Sequence, residues 1–222
     1  MLFVIILKDS AMNNVIRICE MFYSLEGETV TAGFPAFFIR LGGCNLDCYY
    51  CDTELAHVYH NDMTVKEIVE EVGRNVPFHH ITVTGGEPLM QSNTIYLLRE
   101  LAEKGYNVQL ETNGSFSLAE VPQQIRIIAD VKTPCSGEAG SFFIENVKYL
   151  KEDDEVKFVI SDMADYEFSR NFIKEHLEDT GAVINFSPVH GSMEPSELSK
   201  LIIRERLNVR LNLQLHKVVG FD

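Results

Sequence analysis

Tryptophan is absent from this 222-residue chain, and basic residues are scarce: 19 Lys and Arg stand against 33 Asp and Glu, a formal net charge of −14. A surface this acidic repels a phosphate backbone and anionic headgroups, so neither nucleic acid nor a membrane is expected as a partner. No basic leader accompanies the apolar opening MLFVIIL, which runs at once into Lys8-Asp9. It reads as neither a signal peptide nor a membrane span, and residues 1–11 read as an extension ahead of a start at Met12. Only five cysteines occur, three of them within eight positions. That is not the framework of a secreted disulfide protein, and it places the chain in a reducing cytoplasm. There is no Gly-x-Gly-x-x-Gly turn, no second Cys-x2-Cys knuckle, no low-complexity segment, no long linker and no strong internal repeat.

What is present is a 45% hydrophobic content, enough for one sizeable core, and an alternation of strand-like and helix-like segments. Strands are predicted at 36–43, 80–84, 107–112, 126–131, 156–161, 182–187 and 209–215. Helices are predicted at 64–73, opened by a Thr64/Glu67 capping box, at 94–105, near 141–150, near 164–177 and at 195–207. Repeated β-α units imply parallel strands with crossover helices. The fold class is therefore α/β, a partial TIM-type barrel forming a single domain over residues 1–222. In a parallel barrel the strand ends build one site on the C-terminal rim. That rim would gather the cysteine loop, Thr84-Gly85-Gly86-Glu87-Pro88, Glu111-Thr112-Asn113-Gly114, Asp130-Val131-Lys132, Ser187-Pro188-Val189-His190 and Gln214-Leu215-His216-Lys217.

The loop LGGCNLDCYYCDTE places Cys44, Cys48 and Cys51 where a soft-metal site wants four ligands. Three readings follow. Structural zinc would recruit His57. A ferredoxin-like cluster would need Cys19 or Cys135 as its fourth thiolate. Alternatively, three cysteines hold three irons of a four-iron cluster, and the fourth iron stays open to a small molecule. Cys19, in a strand-like run, otherwise reads as a small core hydrophobe, and Cys135 has no evident role.

Cys-x3-Cys-x2-Cys with Tyr50 ahead of Cys51, joined by TGGEP at 84–88, resembles the radical S-adenosylmethionine (SAM) superfamily. Within it, EMFYSLEGETVTAGFPAFFIRLGGC, CDT, ETNG and QLHK resemble the 7-carboxy-7-deazaguanine synthase family across nearly the whole chain. The resemblance implies a radical SAM carbon–nitrogen lyase of 7-deazapurine (queuosine) biosynthesis. Such an enzyme converts 6-carboxy-5,6,7,8-tetrahydropterin to 7-carboxy-7-deazaguanine with loss of ammonia. It further implies a homodimer carrying a [4Fe-4S] cluster on Cys44, Cys48 and Cys51, with SAM as cofactor and Mg2+ at Thr53. An electron donor such as flavodoxin or ferredoxin is implied as partner. SAM contacts are implied for Tyr50, Cys51, Asp52, Gly86, Glu87, Asp130, Val131, Lys132, Ser187, Pro188, Val189 and His190. Substrate contacts are implied for Leu25, Glu26, Gly27, Arg40, Thr84 and Glu111. Arg40's planar fork suits a substrate carboxylate, and backbone groups of 25–27 are expected to meet the pterin. Glu26 and Thr29 depart from the family's Leu-Gln-Gly-Glu-Gly.

Two other classes compete. A glycyl-radical-enzyme activase shares the cysteine spacing but needs a large docking groove for a protein. A non-enzymatic iron–sulfur or zinc protein has no use for an aminoacyl-binding strand end such as TGGEP.

Overall fold

The computed structural model describes residues 14–51, 53, 61–74 and 79–220, and for His216 the backbone alone. The expected extension at 1–11, Asp52 and His57 lie outside these residues, as does the His216 side chain.

Nine strands form one sheet in the order β3-β1-β2-β4-β5-β6-β7-β8-β9. From β2 (Pro35–Leu41) onward the neighbours are parallel: β4 (His80–Gly85), β5 (Asn107–Thr112), β6 (Arg126–Val131), β7 (Glu155–Ile160), β8 (Val183–Pro188) and β9 (Arg210–Leu211). Two antiparallel strands that the β-α periodicity did not announce, β1 (Val15–Leu25) and β3 (Asn61–Thr64), extend the β2 edge. The sheet is thus an open, incomplete barrel. One face of each parallel strand packs into the core, while the other carries polar side chains such as Glu111, Asp130 and Lys157. Val156, Phe158 and Ile160 of β7 and Ile127, Ala129 and Val131 of β6 all belong to one core cluster.

Helix α1 (Val65–Arg74) buries Val65, Ile68, Val69 and Val72. Its capping box forms as expected: Glu67 N donates to Thr64 Oγ1 at 3.2 Å, and Thr64 N donates to Glu67 Oε2 at 2.8 Å. Helix α2 (Thr94–Glu103) stops at Gly105, whose φ of 83° suits a residue without a Cβ. Helix α3 (Met163–Phe172) continues into a π-helical stretch, Ile173–Leu177, and α4 (Pro195–Glu205) ends with Arg206 in the left-handed region, one residue before the predicted Leu207.

Two predicted elements differ. The helix near 141–150 is a 3-10 segment, Ile144–Tyr149, because Asn146 is committed elsewhere. Its Nδ2 donates to the Gly114 and Phe116 carbonyls at 2.8 Å, and its Oδ1 accepts from Leu118 N at 2.9 Å. The last strand is only Arg210–Leu211. Asn212 leaves the ladder, donating from Nδ2 to Ser187 Oγ at 3.0 Å and accepting from Thr29 N at 3.1 Å. The chain then turns into α5 (Leu215–Val219), whose Leu215 N donates to the Gly27 carbonyl at 2.7 Å.

Candidate active site

The C-terminal ends of the parallel strands enclose a cavity of about 740 Å3. Strand alternation decides what faces it. On β6 and just beyond it, Ile128, Asp130 and Lys132 line the cavity, while Ile127, Ala129 and Val131 belong to the core. Phe22 and Ser24 on β1, Phe38 and Arg40 on β2, and Lys157 and Val159 on β7 repeat the same two-residue step.

The cysteine loop forms one wall, and three attachments seat it. Beneath it lie Gly85 and Gly86: a Cβ on Gly86 would collide with the Gly43 carbonyl and Cys44, and one on Gly85, whose φ is 150°, would strike the Leu41 backbone. Glycine is needed here for backbone to meet backbone. Beside it, Asn113 Nδ2 donates to Asn45 Oδ1 at 3.1 Å, and Asn45 Nδ2 donates to Ser115 Oγ at 3.0 Å. Above it, Tyr49 N donates to the Ser136 carbonyl at 2.9 Å and Asp47 N to Glu138 Oε1 at 2.8 Å.

Cys44, Cys48 and Cys51 all line the cavity. Burial raises the Cys44 thiol and pushes Cys48 up to about 11, so metal binding there must release protons. Among the described residues, the one group of three metal-binding side chains with ligand atoms within 4.8 Å of one another is Cys135, Asp162 and Asp165. The three loop sulfurs are thus not all within 4.8 Å of one another, whereas tetrahedral Zn–S bonds of about 2.3 Å would bring all three to roughly 3.8 Å. A donor set of three thiols on one wall of an open cavity fits a cluster with a free corner. Cys135 belongs to a separate brace: its N–H donates to Asp165 Oδ1 at 2.8 Å, and burial plus a hydrogen bond with Asp162 pushes its thiol up to about 12. Asp165 also accepts from Ser161 N at 2.9 Å, and Asp162 caps α3. This brace holds the 133–138 turn, and with it the upper attachment of the cysteine loop.

Of the expected SAM contacts, Tyr50, Cys51, Gly86, Asp130, Lys132, Ser187, Pro188, Val189 and His190 line the cavity. Tyr50 is oriented by a 3.1 Å hydrogen bond between its hydroxyl and Thr133 Oγ1, and burial pushes its pKa up to about 12. Val131 and Glu87 sit behind the wall. Glu87 is fully buried, accepting from Leu89 N at 2.9 Å, Thr112 Oγ1 at 2.8 Å and Asn113 N at 2.7 Å, while its own N–H donates to the Gly43 carbonyl at 2.9 Å. It fastens β4, β5 and the cysteine loop together. Burial, opposed by those hydrogen bonds, raises its pKa.

All six expected substrate contacts, Leu25, Glu26, Gly27, Arg40, Thr84 and Glu111, line the same cavity, as does Thr53. Arg40 Nε donates to Glu20 Oε1 at 2.7 Å and its guanidinium lies 5.6 Å from the Phe22 ring centroid, which fixes the fork and leaves the Nη pair as donors for a ligand. Thr84 Oγ1 donates to Glu111 Oε2 at 2.7 Å. The backbone of 26–27 is more engaged than expected. Glu26 N donates to the Phe34 carbonyl and Gly33 N to the Glu26 carbonyl, both at 2.8 Å, and Gly27 O holds α5.

Two charged lining residues escaped sequence reasoning, Glu28 and Lys157. Lys157 Nζ lies 3.2 Å from Glu28 Oε2 and 3.6 Å from Asp130 Oδ2, while Lys132 Nζ is 2.9 Å from the same Asp130 oxygen. Burial works against the Asp130 charge, but Lys132 and Lys157 outweigh it and hold its pKa below the usual carboxylate range. Burial likewise opposes the Lys132 charge, and Asp130 outweighs it, holding Lys132 above its ordinary value. Glu28 Oε1 accepts from Gln214 Nε2 at 2.8 Å, so the β1–β2 loop, β7, β6 and the segment leading into α5 are tied across the cavity floor.

Comparison with known proteins agrees with this geometry. The radical SAM superfamily profile matches residues 38–136. The 7-carboxy-7-deazaguanine synthase of Koribacter versatilis is 42% identical over 217 residues, covering 91% of this chain and 96% of that protein. That of Methanospirillum hungatei is 39% identical, covering 96% of this chain and 89% of the relative. Among solved structures, QueE from Escherichia coli superposes with a TM-score of 0.78 at 23% identity, over 93% of this chain and 96% of that one. Streptococcus suis SuiB bound to S-adenosylmethionine gives 0.53 at 16% identity, over 77% of this chain and 48% of that one. At those identities the two structures speak for the fold. The curated relatives carry the rest: this chain belongs to the 7-carboxy-7-deazaguanine synthase family of radical SAM enzymes.

Proposed function

We propose that the cavity binds 6-carboxy-5,6,7,8-tetrahydropterin beside SAM and converts it to 7-carboxy-7-deazaguanine with loss of ammonia. The observation that carries this is the meeting, in one cavity, of the three-cysteine wall with Arg40, Thr84 and Glu111. Family membership implies a [4Fe-4S] cluster and SAM; Cys44, Cys48 and Cys51 would hold the cluster. When bound, the pair supplies the radical that takes a hydrogen atom from the substrate. The chain's own residues do the rest. Arg40 pairs with the substrate carboxylate, Thr84 and Glu111 take the pterin edge, and Asp130 with Lys132 hold polar groups of SAM. Held by these contacts, the substrate is aligned with SAM, so binding energy goes into alignment.

Thr53 is the candidate Mg2+ ligand. One hydroxyl, substrate oxygens and retained waters suit that ion's octahedral preference. Thr53→Ala should keep the iron–sulfur spectrum and SAM binding yet need more Mg2+ for the same rate; superimposable Mg2+ titrations would leave Thr53 a turn residue. The working unit is a single-domain homodimer served by a flavodoxin- or ferredoxin-type donor in the cytoplasm. No helix among the described residues is long and apolar enough to cross a membrane. The test of the reaction is anaerobic reconstitution with SAM, reductant and the carboxypterin, followed by product identification. Turnover of SAM with no deazaguanine product would sink the assignment.

A further inference from the structure

Among the described residues, four carboxylates (Glu26, Glu28, Glu111, Asp130) and four cations (Arg40, Lys132, Lys157, Lys217) line the cavity, and Arg40 is also paired with Glu20, so with every group ionised the cations carry no excess. Such a cavity has no preference for an anion. The carboxylates are not alike, however. Asp130 has two lysines and Glu28 has Lys157. Burial raises the Glu111 pKa too, but there the charges of Lys157 and Arg40 pull against it.

Glu26 has none of this. It is 3% exposed, and among the described residues no cation forms an ion pair with it. Its side-chain partners are neutral: Oε2 meets Thr82 Oγ1 at 2.8 Å and the Gln109 side-chain amide at 2.5 Å. The charged groups that act on it are carboxylates, Glu111 from β5 and Glu28 from its own loop. Beyond them Arg40 on β2 and Lys157 on β7 act on Glu111, and Lys157 is shared with Glu28 and Asp130. A buried carboxylate with like charges nearby and no counter-ion takes up a proton.

We propose that Glu26 is a neutral carboxylic acid that determines specificity: its neutrality removes a negative charge that would oppose the carboxylate of the substrate, and its ionisation restores that opposition. The proposal rests on the anionic pterin reading above. Burial, reinforced by Glu111, pushes the Glu26 pKa up to about 8. The switch therefore falls in the mildly alkaline range.

The test uses cluster-loaded, SAM-bound enzyme and has two arms. In the first, the infrared difference spectrum of wild type minus Glu26→Gln at pH 7 should contain a protonated-carboxyl C=O stretch that shifts in D2O. Its absence would overturn the proposal. In the second, carboxypterin affinity is titrated against pH. Wild type should weaken about tenfold between pH 7 and pH 9, as linkage to a group of pKa about 8 requires. Glu26→Gln, uncharged and of the same shape, should stay flat to within about twofold over that span, and wild type should show a smaller fall for a pterin lacking the carboxylate. An equal tenfold fall in Glu26→Gln would assign the effect to another group and sink the idea. A carboxyl band together with no carboxypterin binding at any pH would instead defeat the pterin reading while leaving Glu26 neutral.

Discussion

At the scale of single residues, the legible ones broke a local pattern. Arg40 closes an apolar strand and Thr84 precedes two glycines, so both stand out on paper, and both line the cavity. Lys157 was equally anomalous, one cation in the run EVKFVI, but a lone lysine in a strand reads as solvent-facing until its face is known to line a cavity. Val131 and Glu87 were placed by their neighbours in sequence, whereas alternation turns the first outward and the second is bonded behind the wall. Arg40 carries a prediction. With Nε held by Glu20 and the stem against Phe22, its fork is fixed before substrate arrives. Removing it should cost about 2–5 kcal/mol of carboxypterin binding if the pair is buried. A pterin without the carboxylate should lose far less, as calorimetry on both ligands would read; equal losses would make Arg40 a strap for β1.

At the scale of elements, β-α alternation was readable because parallel strands and amphipathic helices have different periods. What it could not show was competition from side chains. Asn146 and Asn212 satisfy backbone groups of other segments, and each shortens the regular element predicted there. The cysteine loop is likewise held by parts remote in sequence: Gly86 below, Asn113 beside and the turn braced by Asp165 above. Gly86→Ala should therefore displace the loop and lower iron incorporation several-fold, despite keeping all three thiols. Cys48→Ala should abolish the four-iron absorption outright. Cys135→Ala, which loses only the thiol's hydrogen bonds to Asp162 and Asp165, should retain it. Loss of the cluster in Cys135→Ala equal to that in Cys48→Ala would mean that a fourth thiolate closes the cluster.

At the scale of the molecule, a net charge of −14 means that stability depends on pH through many groups at once, so only a difference between two chains isolates one of them. Glu26→Gln supplies that difference. Because the folded chain holds the Glu26 proton up to about pH 8 against an ordinary value of 4.5, folding binds this proton more tightly than the unfolded chain does. The stability it contributes is fully present below pH 4.5 and is lost as pH rises through about 8. Between those limits the loss reaches up to about 1.4 kcal/mol per pH unit, the linkage maximum for one proton. In Glu26→Gln this slope disappears while the other acidic groups titrate as before. Urea midpoints of the two cluster-loaded proteins, measured anaerobically from pH 5 to pH 9, should therefore diverge, wild type losing ground steadily to about pH 8 and running parallel to the variant above it. Cluster release accompanies unfolding in both and cancels in the comparison. Midpoints that stay parallel across the whole range would mean that Glu26 is ionised in the folded chain at neutral pH, and that the cavity reaches its charge balance by another group.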